Sequence, residues 1–303
     1  MFELRYEVQT RLLLRCLPEL EQHPCFALKG GTAINFFVRD LPRISVDIDL
    51  TYLPLAPRKE TLGAISEHLG ALGSSLKRQI PGVRVEQRRN EGQLDRLTIV
   101  SRDATAKIEP NTILRGCVYP GETREMAASA VDRFGVAVRA QTLSVADLYG
   151  GKLCAALDRQ HPRDLFDVKV LLEAEGITPE IRRAFVVYLA GHSRPMSELL
   201  APRFTDIRET FEAHFVGMTR DEVALESLVA VQHDLPHKLV REMDDDERAF
   251  LLALKRREPD WGRLGLEGLD RLPALQWKLE NLRKMPRDKH LVAVEKLARI
   301  LQR

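Results

Sequence analysis

The stretch Lys29-Gly30-Gly31-Thr32, followed after twelve further residues by Ser45-Val46-Asp47-Ile48-Asp49-Leu50, decides the fold of this chain. The apolar run Phe26-Ala27-Leu28 leads into it, and a segment with helical character separates its two halves. This order predicts a strand, a tight glycine turn, a helix and a second strand. Because side chains alternate along a strand, Asp47 and Asp49 are expected on one face, opposite their apolar neighbours.

The two aspartates and the glycine turn together indicate a site for a metal ion and a triphosphate. Mg²⁺ takes carboxylate oxygens together with substrate phosphates, so Asp47 and Asp49 are predicted as ligands of Mg²⁺ or Mn²⁺. Glycines at a helix start let backbone N–H groups approach phosphate oxygens. Gly30, Gly31 and Thr32 are therefore predicted to hold the phosphates of a nucleoside triphosphate (NTP), with Thr32 also capping the helix. A solvated strand face is the alternative for an isolated Asp-x-Asp.

Two more residues are candidates for the same site. Glu109 ends a predicted strand with the alternation of a third metal ligand, and either Glu109 or Asp49 is a candidate to accept the proton of an attacking hydroxyl. An exposed strand glutamate is the alternative. Lys29 adjoins the glycine turn and is a candidate phosphate ligand, although basic residues beside turns are common.

A second group of charged residues lies on two successive predicted helices. The ammonium of Lys152 is a compact charge suited to a triphosphate, and Arg159 lies seven residues further on the same helical face. Asp167 is embedded in an apolar run, so its carboxylate needs a partner. Lys152, Arg159 and Arg163 are the candidates for that partner. A structural ion pair between the helices is the alternative to a role in substrate binding.

The order of these motifs resembles that of the AbiEii family of bacterial nucleotidyltransferase toxins, which includes the MenT-type toxins. The resemblance lies in Gly30-Gly31-Thr32-Ala33, Ser45-Val46-Asp47-Ile48-Asp49-Leu50, Lys152-Leu153-Cys154-Ala155-Ala156 with Arg159, and Arg163-Asp164-Leu165-Phe166-Asp167. The family belongs to the DNA polymerase β-like nucleotidyltransferase superfamily, whose first motif is usually Gly-Ser rather than Gly-Gly-Thr. The resemblance implies an α+β fold, with a mixed sheet and flanking helices followed by an all-helical C-terminal domain.

The resemblance also implies an activity and roles for individual residues. Ser45 would assist at the phosphates, and Lys152 and Asp167 would be the lysine and aspartate of the last family motifs. The implied activity is metal-dependent nucleotide transfer from an NTP to RNA, at the tRNA 3′ end. Such a toxin of a toxin–antitoxin or phage-defence pair would block translation, and a cognate antitoxin would be its partner. Transfer to a small molecule or a protein hydroxyl, or a non-catalytic nucleotide-binding regulator, are the alternatives.

Composition limits the class of protein. The 303 residues are 44% hydrophobic and 30% charged, with a net charge of +2, which is typical of a globular protein. No apolar run approaches the roughly 20 residues that span a bilayer, and the first residues lack the apolar core of a signal peptide. We therefore expect a cytoplasmic protein without a membrane partner. The four cysteines show no ligand-like spacing and are expected to be reduced thiols.

The distribution of charge along the chain indicates nucleic-acid binding, whereas the net charge does not. Residues 271–303 contain nine lysines or arginines and three acidic residues. Further arginines lie on predicted strands between residues 78 and 102. We predict a basic surface that binds RNA, with Trp261, Trp277 or Tyr188 as candidates for base stacking and a core position as the alternative for each.

Periodicity along the chain predicts two domains, a nucleotidyltransferase domain at residues 1–175 and a helical domain at 176–303. The predicted strands are 25–28, 46–53, 83–88, 94–102, 106–109 and 136–140. The predicted helices include a segment within 1–20, then 32–39, 58–79, 144–160, 163–175, 205–214, 221–228, 245–257 and 275–284.

Overall fold

Seven strands form one mixed sheet within residues 2–302, the part of the chain that this computed structural model describes. The strands are β1 (Phe26–Lys29), β2 (Asp47–Tyr52), β3 (Arg84–Asn90), β4 (Gln93–Val100), β5 (Thr105–Asn111), β6 (Glu122–Glu125) and β7 (Arg139–Thr142). Their order across the sheet is β3-β4-β5-β2-β1-β7-β6. The pairs β2–β5 and β1–β7 are parallel and the other neighbours are antiparallel, which confirms the predicted mixed sheet.

Helices flank the strands and make up the later part of the chain. Those before residue 140 are α1 (Leu4–Cys16), α2 (Gly30–Ala33), α3 (Arg58–Gln79) and α4 (Ala128–Phe134). The later ones are α5 (Val145–Arg159), α6 (Pro162–Glu173), α7 (Pro179–Gly191), α8 (Met196–Leu199), α9 (Arg208–His214), α10 (Leu225–Glu242), α11 (Asp245–Lys255), α12 (Pro273–Lys284) and α13 (Arg287–Leu301). A π-helical turn at Ile34–Val38 continues α2, and 3₁₀ turns lie at Leu17–Gln22 and Leu269–Arg271. None of the helices in residues 2–302 is long and apolar enough to span a membrane.

The chain divides into two compact units, and the division differs from the predicted domain boundary. The first unit comprises the residues up to Leu148 together with Phe215–Val223, and the second comprises Tyr149–His214 and the chain from Ala224 onward. The predicted boundary between residues 175 and 176 lies inside the second unit, because α6 packs against α9 and α10. The division instead falls within α5, where the helical pattern of the sequence continues without a break.

The segment 215–223 is part of the first unit through backbone hydrogen bonds. The amide of Ile44 donates to the carbonyl oxygen of Met218 at 2.7 Å, and Arg43 forms an isolated antiparallel bridge with Thr219. The amide of Glu3 donates to the carbonyl oxygen of Gly217 at 2.9 Å. These bonds fix the loop that precedes β2 from a distant part of the sequence.

Alternation along the central strands gives the sheet an apolar face and a charged face. Ile48 and Leu50 of β2 are fully buried, as are Leu69 and Leu72 of α3, which packs on the apolar face at β4. The intervening residues of β2, including Asp47, lie on the opposite face. The bounds of α3 are those predicted, and β2 begins and ends one residue inside its predicted range.

Two features of the sheet near β1 differ from prediction. β6 was not predicted, because its sequence Glu-Thr-Arg-Glu is a charged edge strand without an apolar face. β7 is Arg139–Thr142 instead of 136–140. The reason is that Gly135, the residue after α4, adopts a left-handed conformation with φ of 70°, and the chain reaches the sheet only at Arg139.

Candidate active site

The glycine turn lies directly against the side chains that surround it. β1 ends at Lys29, and Gly30 turns the chain with φ of +69°, a conformation that favours glycine. A Cβ on Gly30 would lie 2.6 Å from Asp49 Oδ2. A Cβ on Gly31 would lie 2.5 Å from a guanidinium nitrogen of Arg43. The backbone of the turn is therefore in contact with one predicted metal ligand and with one buried cation.

Two hydroxyls connect the turn to the start of β2. Thr32 lies inside α2, whose N-cap is Lys29, so the prediction that Thr32 caps this helix is wrong. Its hydroxyl donates to the carbonyl oxygen of Asp47 at 2.6 Å and lies 2.9 Å from Ser45 Oγ. Ser45 is buried, and its carbonyl oxygen accepts from Thr10 at 3.3 Å. Thr32 thus helps to position Asp47.

The predicted carboxylates lie on the charged face of the sheet and are half-buried. Asp49 is in register with Lys29 of β1 on one side and with Glu109 of β5 on the other. Asp47, on the same face, is in register with Lys107. Residues in register on neighbouring strands present their side chains to the same face. The structure therefore brings Asp47, Asp49 and Glu109 together on one face, as predicted.

Glu109 is already engaged by cations. Arg96 Nε and Nη2 donate to its two oxygens at 2.9 and 2.7 Å, and Arg88 lies 3.4 Å from one of them. In residues 2–302, no group of three or more His, Cys, Asp or Glu side chains is arranged to hold a metal ion. The donor set that remains is Asp47 and Asp49. This pair fits Mg²⁺, which in phosphate-transfer sites uses one or two carboxylates together with substrate phosphates.

The second predicted group forms a buried ionic cluster within the second unit. Lys152 Nζ lies 2.8 Å from Asp164 Oδ1 and 2.8 Å from Asp167 Oδ2, so Lys152 is the partner that Asp167 requires. Arg159 pairs with the other oxygen of Asp164 at 2.8 Å, and its side chain is 63% exposed. Burial opposes ionisation of Asp164, but Lys152 and Arg159 outweigh it and hold the pKa of this carboxyl well below its usual range.

This cluster connects α5 and α6, and of its four residues Arg159 is the one that extends into solvent. His161 caps α6 by accepting from the amide of Arg163 at 3.1 Å, which fixes the start of the helix that carries both aspartates. Asp164 was not predicted as a site residue, although its spacing of three from Asp167 places both on one helical face. The ammonium of Lys152 is engaged by two carboxylates in this arrangement.

A family model matches the sequence, and a solved structure has a similar fold. A family model described as nucleotidyl transferase AbiEii toxin, type IV toxin–antitoxin system, matches residues 11–281. The chain belongs to the AbiEii family of nucleotidyltransferase toxins. The fold is similar to that of MenT4, a nucleotidyltransferase toxin from Mycobacterium tuberculosis H37Rv, with a TM-score of 0.63 and 16% identity over 92% of this chain and 93% of that chain. A comparison with curated proteins gave no match.

In this AbiEii-family chain, one buried residue beside the candidate site was missed by sequence analysis. Arg43 is 2% exposed, lies against Gly31, and donates from Nη1 to the carbonyl oxygen of Ile44 at 2.8 Å. Its backbone forms the bridge to Thr219, a distant contact that no local pattern reveals. The buried guanidinium places positive charge beside the turn predicted to bind phosphates.

The basic surface predicted for residues 271–303 is only partly present. Lys278 is buried, and its ammonium donates to the carbonyl oxygens of His192 and Arg194 at 2.7 and 2.8 Å. Burial and the charge of Lys255 lower the pKa of Lys278 to about 8. This lysine is a structural donor and does not belong to the surface. The exposed cations of the segment are Arg271, Arg283, Lys284, Arg287, Lys289, Lys296 and Arg299. Arg303 lies outside the described residues.

The contact between Gly30 and Asp49 gives a direct test of the turn. Replacing Gly30 by alanine should lower the rate of nucleotidyl transfer at least about tenfold, because the new Cβ displaces the Asp49 carboxylate. The left-handed backbone should also cost about 1–2 kcal/mol of stability. Gly82→Ala is the matched control, since Gly82 has φ of +79° and an added Cβ would meet nothing within 4 Å. Equal activity of the two variants would show that the contact has no catalytic importance.

Proposed function

We propose that this chain is the toxin of a toxin–antitoxin or phage-defence pair, which transfers a nucleotide from an NTP to RNA at the tRNA 3′ end. The transfer depends on Mg²⁺ or Mn²⁺, takes place in the cytoplasm and blocks translation. A cognate antitoxin opposes it. Membership of the AbiEii family supports nucleotidyl transfer by a toxin, and the RNA acceptor is the further step of the proposal.

The observation that carries the proposal is the contact between the glycine turn and Asp49. Backbone amides at Gly30 and Gly31 are suited to phosphate oxygens, and the turn adjoins a pair of metal-binding carboxylates. Asp47 and Asp49 would hold the metal. When bound, a divalent ion supplies positive charge that stabilises the entering and leaving oxygens of phosphoryl transfer. Lys29, in register with Asp49, would contribute positive charge beside the phosphates.

Glu109 and the hydroxyl residues have supporting roles in the proposed site. Arg96 competes with a metal for the oxygens of Glu109, so Glu109 is the third and weaker ligand of the proposal. Asp49 is the better placed of the two candidates to accept the proton of the attacking hydroxyl. It lies against the glycine turn, where the triphosphate is proposed to bind. The buried hydroxyls of Ser45 and Thr32 fix the start of β2 next to the glycine turn, where the phosphates are proposed to bind.

We propose that Lys152 and Arg159 bind the nucleotide and that Asp167 supports this binding. Asp164 and Asp167 fix the ammonium of Lys152 in one position, so we assign Asp167 the role of positioning Lys152. For the ammonium to contact a triphosphate, a phosphate oxygen has to join or replace a carboxylate oxygen in its coordination. Arg159 is exposed and meets incoming phosphates without that exchange.

The exposed cations of α12 and α13 support an RNA acceptor. Arg283 and Lys284 end α12, and Arg287 and Lys289 begin α13, all on the surface of the second unit. Trp277 is 43% exposed and is the best of the three predicted stacking residues. Trp261 is half-buried beside the ring of Phe250. Backbone charge with an adjacent aromatic side chain is the usual means of holding a single-stranded end.

Label transfer tests the proposed reaction. Purified protein would be incubated with each α-³²P-labelled NTP, Mg²⁺ and total RNA, and the label followed by denaturing electrophoresis. We expect label in the tRNA band, with loss of label after removal of the 3′ end. Label on protein, or on a small molecule after RNase treatment, would favour one of the alternative acceptors. Absence of transfer to any acceptor would favour a nucleotide-binding regulator.

RNA binding through the second unit should depend strongly on salt. Replacing Arg283, Lys284, Arg287 and Lys289 by glutamine should weaken tRNA binding. It should also reduce the slope of log K against log salt by about 0.7 for each phosphate that the variant no longer neutralises. Fluorescence anisotropy between 50 and 300 mM KCl would measure both. The control removes four exposed charges elsewhere, at Lys77, Arg208, Arg241 and Arg256. An equal effect in the control would show that net charge, and not this surface, governs binding.

A further inference from the structure

Arg115 is a buried cation without hydrogen-bond partners at two of its nitrogens. The residue is 8% exposed, and its Nε and Nη1 atoms are buried without a hydrogen bond. Within residues 2–302 no carboxylate forms an ion pair with it. Buried guanidinium groups are nearly always paired, because an unpaired buried charge is strongly destabilising. An unpaired one therefore requires an explanation.

The backbone around Arg115 is held firmly, so its position does not result from a loose loop. Asn111 Oδ1 accepts from the amides of Ile113 and Leu114 at 2.9 and 2.8 Å, immediately before Arg115. The amide of Gly116 donates to the carbonyl oxygen of Tyr52, at the end of β2, at 2.8 Å. The next residues are bound as well, since the amides of Val118 and Tyr119 donate to the Asp147 carboxylate.

The surroundings of Arg115 are positive. Burial and the charge of Arg58 both lower the pKa of Arg115, and no acidic group offsets them. Arg58 is the first residue of α3, a helix of 22 residues that no side chain caps at its N-terminus. The first amides of such a helix favour anions, as does a guanidinium, whose fork of N–H groups matches two phosphate oxygens. Arg58 begins α3 six residues after Tyr52, and Arg115 directly precedes the amide that bonds to the carbonyl oxygen of Tyr52, so the fold places both cations beyond the end of β2.

We propose that Arg115 and Arg58, with the N-terminus of α3, form a binding site for a phosphate group at the end of β2 that is remote from Asp47. The phosphate would belong either to a free phosphate compound, such as pyrophosphate or a nucleotide, or to a phosphodiester of RNA. The site is separate in sequence from the glycine turn. The inference does not rest on the proposed function, because the unpaired cation requires an anion whichever acceptor the enzyme uses.

The proposal predicts opposite effects of one substitution with and without ligand. In phosphate-free buffer, Arg115→Met should raise the midpoint of thermal unfolding, because it removes an unpaired buried charge and keeps an apolar side chain of similar length. A structural arginine would instead give a lower midpoint. With inorganic phosphate and then pyrophosphate at constant ionic strength and in EDTA, the wild type should be stabilised by a few degrees in a saturable manner.

Variants separate this site from others. Arg115→Met should weaken phosphate or pyrophosphate binding at least about tenfold, and Arg115→Lys should show a smaller loss, because the charge remains without the fork. Arg102→Met is the control, since the Arg102 side chain is 94% exposed and remote in sequence. Saturable stabilisation that persists in Arg115→Met, or no stabilisation of the wild type by any phosphate probe, would overturn the proposal.

Two ligand arms identify the source of the phosphate. A labelled RNA oligonucleotide of mixed sequence and metal-free ATP would be titrated into wild type, Arg115→Met and Arg115→Lys. A loss of affinity for ATP alone assigns the site to a nucleotide, and a loss for RNA alone assigns it to a phosphodiester. Unchanged affinity for both, together with abolished pyrophosphate binding, assigns it to a free phosphate compound. Unchanged affinity for every probe would overturn the proposal.

Discussion

Replacing either Asp47 or Asp49 by asparagine should lower the rate of nucleotidyl transfer at least about a thousandfold while leaving the fold intact. The two carboxylates lie on one face of β2 beside the glycine turn and are the donor set proposed for the metal. Loss of metal-based charge stabilisation costs several kcal/mol of transition-state energy, and each 1.4 kcal/mol is a factor of about ten. Asparagine preserves side-chain volume, so circular dichroism and the thermal midpoint should change little.

Two further variants make this result specific. Asp103→Asn is the matched control, because Asp103 is an exposed aspartate in the turn between β4 and β5 and should keep full activity. Glu109→Gln should lose less activity than either aspartate variant, since Arg96 competes for its oxygens. Mg²⁺-dependent label transfer measures all four. Full activity in Asp47→Asn or Asp49→Asn would remove the pair from the site.

Replacing Lys152 by methionine should destabilise the protein by about 3–5 kcal/mol, the second large effect we expect. Without Lys152, the buried carboxylates of Asp164 and Asp167 have a single cation of this cluster nearby, the exposed Arg159, instead of two cations. Urea unfolding followed by circular dichroism measures the loss. Lys169→Met is the control, because Lys169 lies on α6 with the two aspartates but pairs with Glu173 at the surface, where an ion pair contributes under about 1 kcal/mol.

The pH dependence and a double mutant distinguish the roles of this cluster. The pKa of Asp164 is lower in the folded than in the unfolded protein, so its contribution is present above the unfolded pKa of about 3.9 and is lost as pH falls below it. Lys152→Met should therefore reduce the acid-sensitive part of the stability. If Asp167 positions Lys152, the activity losses of Lys152→Met and Asp167→Asn should be strongly non-additive. Additive losses would show that the two residues act independently.

The parts of the fold that were predicted correctly are those with a local cause. Alternating apolar residues indicated β2 and a stripe of apolar residues indicated α3, so the bounds of both elements could be predicted from the sequence. The row that contains Asp49 and Glu109 was partly predictable, because the alternation of each strand fixes its face. The register that puts them side by side depends on pairing between β2 and β5, which is set by packing of the whole sheet.

The parts that were missed depend on distant contacts. Arg43 and Lys278 resemble surface cations in the sequence, yet both are buried because backbone carbonyl oxygens satisfy them. The pairing of Lys152 with Asp167 was one of several predicted alternatives, and the packing of α5 against α6 brings the two groups within 2.8 Å of each other. The division into compact units was not predicted for a similar reason, since nothing in residues 215–223 marks them as part of the first unit.

That returning segment has a consequence for how the protein is made. A ribosome synthesises the loop containing Arg43 long before it reaches Thr219, and the first unit remains incomplete until residue 223 has left the exit tunnel. By then helices α5 to α9 have already been synthesised. A nascent chain, or a fragment cut at residue 148 or 175, lacks the backbone that secures the loop before β2. The first unit thus becomes complete late in translation, and a prematurely terminated chain lacks these backbone contacts beside the proposed site.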